Sequence, residues 1–139
     1  MSPSPEPAAP RLLLVEDDDA VRRGLLLLLH SRGYDVRAYP SGVGLASDPG
    51  ALGCAILIAD LMMPQANAIE LLAALRGASW MGRSILISGN LDAGWRARAI
   101  AAGYDAILPK PISESILVRT VEELLPMPPV GSPGREGGA

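Results

Sequence analysis

The chain has 139 residues, 49% of them apolar and 19% charged, with a net charge of −3. This is the balance of a single globular domain with a real core, and with no basic block it argues against a nucleic-acid-binding surface. No apolar run approaches the roughly 18 residues that a membrane span needs, and the first ten residues lack the basic and apolar regions of a signal peptide.

Residues 1–10 carry Pro3, Pro5, Pro7 and Pro10 and read as an extended, disordered lead-in. Pro7 to Pro10 match a P-x-x-P ligand pattern, but a flexible tail is the simpler account. Residues 126–139 are rich in Pro and Gly and read as a tail or linker. The folded domain is therefore expected over residues 11–125. Aromatics are scarce and Phe is absent, so the core must be aliphatic. The lone Cys54, among apolar neighbours, is expected to be a reduced, buried thiol in a cytoplasmic protein.

Within the domain, β-type runs alternate with helical ones. "RLLLVE" reads as a buried strand. The spacing of Val21, Leu25 and Leu28 predicts a helix over 19–31, stopped by Gly33. The run Leu25 to Leu29 cannot all face inward, so one or two of these leucines should be exposed. "YDVRAY" alternates like a half-exposed strand. "SGVGLASDPG" is a weak helix or loop, because its glycines and Pro49 disfavour a long helix. "CAILIAD" is the most apolar strand, followed by a helix over 67–76 with Ala68, Leu71, Leu72 and Leu75 on one face. "RSILIS" is the fourth strand. "LDAGWRARAIAAG" is an Ala-rich helix with a thin apolar face, expected to be the loosest, with Trp95 as a half-buried anchor. "YDAIL" is the fifth strand, ending at Pro109, which suits a strand end or edge. A last helix over 113–125 should be capped by Ser113, with Leu117, Val121 and Leu124 inward.

Five βα units imply an α/β fold, a parallel sheet with helices on both faces. In such folds the binding crevice lies beyond the carboxyl ends of the strands. The polar residues cluster there. Glu16 and Asp17 close the first strand, Asp60 the third, Ser88 the fourth, and Lys110 follows the fifth. Asp18 and Asp19 belong instead to a helix start, where acids are favoured. His30 reads as a surface residue near a helix end, and Met62 and Met63 as loop and core packing.

Converging carboxylates repel by roughly 4 kcal/mol per pair at 4 Å and an effective dielectric of about 20. One lysine offsets part of this. Either a carboxyl keeps its proton or a divalent cation binds. Hard oxygen donors, with no histidine or second cysteine nearby, favour Mg2+ (or Mn2+) over Zn2+. Carboxylates, Mg2+, a lysine and a hydroxyl suit phosphoryl transfer, which rests on positioning and charge neutralisation.

"LLLVEDD", "LIADLMMP", "LISG" and "LPKP", in this order at strand ends, resemble the receiver domain of bacterial two-component response regulators. The resemblance implies a doubly wound (βα)5 flavodoxin-like fold with five parallel strands in the order 2-1-3-4-5. It implies that Asp60 is the phosphoacceptor for a sensor histidine kinase or phosphotransfer protein, giving an aspartyl phosphate. Asp17 would bind Mg2+ directly, Glu16 largely through water, and the Met62 backbone carbonyl would be a further ligand beside Asp60. Ser88 would bond a phosphoryl oxygen, and Lys110 would pair with Asp60 and then with the phosphoryl group. A cis Lys110–Pro111 bond is implied as well. A downstream effector or a second copy would dock on the fourth and fifth units.

Two positions depart from the family pattern. Asn67 and Ala68 stand where it usually has Asp-Gly, and a positive φ there would strain Ala68. Ile107 stands where it often has the aromatic ring that swings inward on activation. Met62 and Asn90, two residues past Asp60 and Ser88, should flank the path of the water that hydrolyses the phosphate, Met62 shielding it and Asn90 orienting water. Two other readings compete: a receiver-like interaction domain that is never phosphorylated, and a Mg2+-dependent phosphohydrolase. The second lacks an acid two residues after the nucleophile, since that residue is Met62. Apart from phosphoacceptance and slow autodephosphorylation, no enzymatic activity is expected.

Overall fold

The computed structural model describes residues 10–63, 67–89 and 92–125. The elements run β1 (Arg11–Val15), α1 (Asp19–Ser31), β2 (Asp35–Tyr39), a 3-10 turn (Leu45–Ser47), α2 (Pro49–Leu52), β3 (Ile56–Asp60), α3 (Ala68–Gly77), β4 (Arg83–Ser88), α4 (Ala93–Ala102), β5 (Ala106–Pro109) and α5 (Glu114–Leu124). The five strands are parallel, in the order β2-β1-β3-β4-β5. Apart from Pro10, the expected lead-in lies outside the described residues, as do the C-terminal tail and Asn90. Among the described residues no helix is long and apolar enough to cross a membrane.

The two-residue period of the strands divides the core. Leu12, Leu14, Ile56, Ile58, Ile85 and Ile87 face Leu25 and Leu29 of α1 and Leu117 and Val121 of α5. Leu13, Val15, Leu57, Ala59 and Leu86 face the other way, toward α2, α3 and α4. β3 is buried along its whole length. β2, at the sheet edge, is only half covered.

Where the structure differs from the sequence reading, the differences are local. β1 ends at Val15, so Glu16 and Asp17 lie just past the ladder. In α1 the buried pair is Leu25 and Leu29; Val21 and Leu28 are only partly covered. Leu27 is the exposed leucine of the run, at 61%. The "SGVGLASDPG" stretch folds as a 3-10 turn and the first half of a one-turn helix, which Asp48 caps through Gly50 N–H. In α5, Val118 joins Leu117 and Val121 in the core while Leu124 is partly covered.

Other expectations hold. Asp18 caps α1 by accepting from Val21 N–H, and Ser113 caps α5 by accepting from Ile116 N–H. Cys54 is buried and unpaired in any disulfide, and His30 is exposed. Ala99 is the one buried residue of α4, and Trp95 packs half-buried against the core, with the Arg98 guanidinium 4.3 Å from its ring centre. Ala68 shows no strain. Asn67 is extended and forms a capping box with Glu70, Ala68 opens α3 as a buried helical residue, and among the described residues it is Ser79 that is a non-glycine with positive φ.

Candidate functional site

The candidate site is assembled from the ends of β1, β3, β4 and β5. Glu16 still donates its N–H to Tyr39 O, at 3.0 Å, so it continues the β2 pairing one residue past the strand. Its side chain is wholly buried. One carboxylate oxygen, Oε2, accepts from Asp18 N–H at 3.1 Å. The Glu16 carbonyl accepts from the Arg22 guanidinium at 2.9 Å, and the same guanidinium donates to Asp19 at 2.6 Å. Asp17, between them, is exposed.

Asp60 is the last residue of β3 and 7% exposed. Lys110 follows the last residue of β5, and its peptide bond to Pro111 is cis. Its ammonium nitrogen donates to Asp60 Oδ2 at 3.0 Å and lies 3.1 Å from Glu16 Oε1. The second contact is one of charge alone: Glu16 Oε1 is buried and accepts no well-directed hydrogen bond. Oxygens of Glu16, Asp17 and Asp60 all lie within 4.8 Å of one another. Ser88 ends β4, buried, one residue beyond the position paired with Asp60. Its carbonyl accepts from Lys110 N–H at 3.0 Å, which ties the β4 and β5 ends together.

Burial raises the pKa of Glu16; the bond from Asp18 N–H and the adjacent Lys110 ammonium pull the other way without cancelling the rise, and the charge of Asp60 adds to it. For Lys110, burial works against the charge, but the hydrogen bond to Asp60 and the ion pair with Glu16 outweigh it and raise the pKa from its ordinary 10.5. The resting site is thus a crowded set of acids that one ammonium half satisfies. A divalent cation fits this set: the donors are hard oxygens and one of them is buried and unsatisfied.

Sequence reasoning placed Glu16, Asp17, Asp60 and Lys110 together; in the structure Lys110 touches Asp60 and Glu16, and Asp17 lies near the two acids. Ser88 joins them by register. Met62 sits at the rim with its side chain half exposed. Ile107 packs against the core on the α3–α4 side of the sheet. Arg22 was missed, because its main partner is a backbone carbonyl and no residue-type pattern encodes one.

A sequence model of the response regulator receiver domain matches residues 12–122. The chain belongs to the response regulator receiver family. The receiver is similar to the sensor kinase CckA of Brucella abortus, 37% identical over 116 residues, which are 82% of this chain and 12% of that protein. It is also similar to the response regulator protein TmoT of Ectopseudomonas mendocina, 30% identical over 118 residues, 85% of this chain and 54% of that one. The receiver therefore spans about half of one relative and a small part of the other. Among solved structures, chemotaxis protein CheY4 of Vibrio cholerae superposes with a TM-score of 0.79 at 22% identity, over 85% of this chain and 100% of that one. FixJ-N superposes with a TM-score of 0.73 at 28% identity, over 83% and 92%. The first likeness speaks to the fold alone.

Proposed function

We propose that this receiver accepts a phosphoryl group on Asp60. The observation that carries the reading is the nearly buried Asp60 carboxylate, held at 3.0 Å by Lys110 beside two further acids at one strand rim. An Asp60 oxygen attacks the phosphorus of a phosphohistidine. The new O–P bond forms as the P–N bond breaks, and the imidazole leaves with that electron pair and takes up a proton. Lys110 holds the attacking carboxylate in place and then neutralises charge on the phosphoryl oxygens, and the Ser88 hydroxyl bonds one of them.

Glu16, Asp17 and Asp60, with the Met62 backbone carbonyl, would hold Mg2+ (or Mn2+). The ion supplies charge neutralisation for the transferring group. The donor is a sensor histidine kinase or a phosphotransfer protein. An open apolar groove of about 250 Å³ beside Lys110, lined by Val21, Gly24, Leu25, Pro111 and Ile112, offers it a docking place. The output is a changed surface around α4, β5 and α5, read by an effector or a second copy. Residues 1–10 and 126–139 would serve as lead-in and as tail or linker to the domain, and the protein would work in the cytoplasm.

Acetyl phosphate with Mg2+ should place one acid-stable, base-labile phosphate on Asp60, lost in Asp60→Ala. Absence of labelling by acetyl phosphate and by cognate kinases alike would overturn the reading.

A further inference from the structure

The loop from Glu16 to Asp18 carries two of the three clustered carboxylates, yet Asp17 is exposed. An exposed acid among other acids should turn away from them unless its backbone is held. The Arg22 guanidinium reaches back across the loop from the first turns of α1. One nitrogen donates to Glu16 O at 2.9 Å and another to Asp19 Oδ1 at 2.6 Å. Its side chain is only 21% exposed. Glu16 O belongs to the peptide unit from which Asp17 projects, so the bond fixes the plane that aims Asp17. The pair with Asp19 is exposed at its acidic end and contributes little by itself. The bond to the carbonyl is charge-assisted and partly covered, hence stronger.

We propose that Arg22 is a positioning residue for the divalent-cation site: it fixes the Glu16–Asp17 peptide so that both carboxylates stay turned toward Asp60. This rests on the cation reading given above. It also runs against simple electrostatics. A guanidinium near a cation site repels the cation, so charge alone predicts that removing Arg22 tightens binding. Positioning predicts the opposite, because residues that orient ligands typically change metal affinity about 10- to 100-fold when lost.

The test is calorimetric titration of Mg2+, with no phosphodonor, into wild type, Arg22→Met and Arg22→Lys. Methionine removes the charge and the donors and keeps an unbranched apolar stem; lysine keeps the charge and loses the fork that reaches both Glu16 O and Asp19. Both variants should bind Mg2+ about tenfold or more weakly. In acetyl phosphate labelling, both should need correspondingly more Mg2+, with saturating Mg2+ recovering most of the rate. Urea denaturation run alongside separates this from a folding defect, since a merely structural role would lower the midpoint and leave Mg2+ affinity in the folded fraction unchanged. Should Arg22→Met misfold, Arg22→Lys decides alone. Equal or tighter binding by a folded variant overturns the positioning role and leaves the site reading standing. Wild type that takes up no Mg2+ overturns the cation reading and this proposal with it.

Discussion

Lys110 Nζ lies 3.0 Å from Asp60 Oδ2 although 50 positions separate the two residues in the chain, and the same nitrogen is 3.1 Å from Glu16 Oε1. One flexible side chain therefore offsets two acids, one just past the end of β1 and one at the end of β3. Replacing it by methionine should destabilise the Mg2+-free protein by about 1–2 kcal/mol, less than for a sealed pair because Lys110 keeps part of its surface in water. Added Mg2+ should then stabilise Lys110→Met more than wild type, since the variant's acids have no other counter-charge. Urea midpoints with and without Mg2+ measure both effects. Equal Mg2+ stabilisation of the two proteins would count against a shared site.

The alkaline limb of stability should be steep. Burial pushes the Cys54 thiol up to about 11, against a slight opposing pull from Arg11 and Arg37. Between its ordinary 9.0 and that value the folded state keeps a proton that the unfolded state has lost, so stability falls as pH rises through this window. Lys110 acts in the same direction. Its raised pKa contributes stability present below 10.5 and lost as pH rises through the folded value. Urea midpoints from pH 7 to 11 should decline above pH 9, and Cys54→Ala should flatten part of the decline. An aromatic disulfide reagent at pH 8 should modify Cys54 slowly until urea is added; rapid modification of the folded chain would contradict a sealed thiol.

Two glycines should respond oppositely to alanine. Gly24 sits on the exposed side of α1, and a Cβ there meets nothing within 4 Å. Gly24→Ala should stabilise by about 0.5–1 kcal/mol through helix propensity. At Gly82 a Cβ would come within 2.5 Å of Ala55 O and also strike the Trp80 ring. The ring is itself anchored by a 2.8 Å hydrogen bond from Trp80 Nε1 to Cys54 O. Gly82→Ala should therefore cost about 1–3 kcal/mol by overpacking. Thermal melts of the two variants give the comparison, and like signs would refute it.

Tyr104 is buried just ahead of β5 and donates to Ala68 O at 2.7 Å. Ala68 N–H in turn donates to Leu61 O, one residue past Asp60. Tyr104→Phe keeps the packing and deletes the bond, and should lower stability by about 1 kcal/mol. Hydrogen exchange should show faster opening at Ala68. Unchanged exchange there would mean that α3 holds its own start.

The alternating order of strands and helices was readable because burial imposes period two on strands and 3.6 on helices, and the strand-end acids were readable because polar residues interrupt apolar runs. The choice of Leu29 over Leu28 as the second buried residue of α1 was not, since five leucines in a row carry no phase. Arg22 and Tyr104 escaped for another reason. Each acts on a main-chain carbonyl, and every residue offers one, so the partner leaves no mark in the sequence. The departure at Ala68 looked costly until Asn67 was seen to be extended and Ala68 helical, the Asn67–Glu70 capping box starting α3 with no positive φ at either residue. Ile107 was located by pattern, and its packing against the core follows from strand alternation.

The helices α1, α3, α4 and α5 all begin where β1, β3, β4 and β5 finish, and each start is closed by a side chain: Asp18, Asn67, Asp92 and Ser113. Every helix start carries roughly half a positive charge from its aligned peptide units. The start of α1 lies against the acids, with Asp18 N–H donating to Glu16 Oε2 at 3.1 Å. This background field comes from the backbone, so no single substitution removes it. At Glu16 it favours the charged carboxylate, partly offsetting what burial and the neighbouring acid cost it.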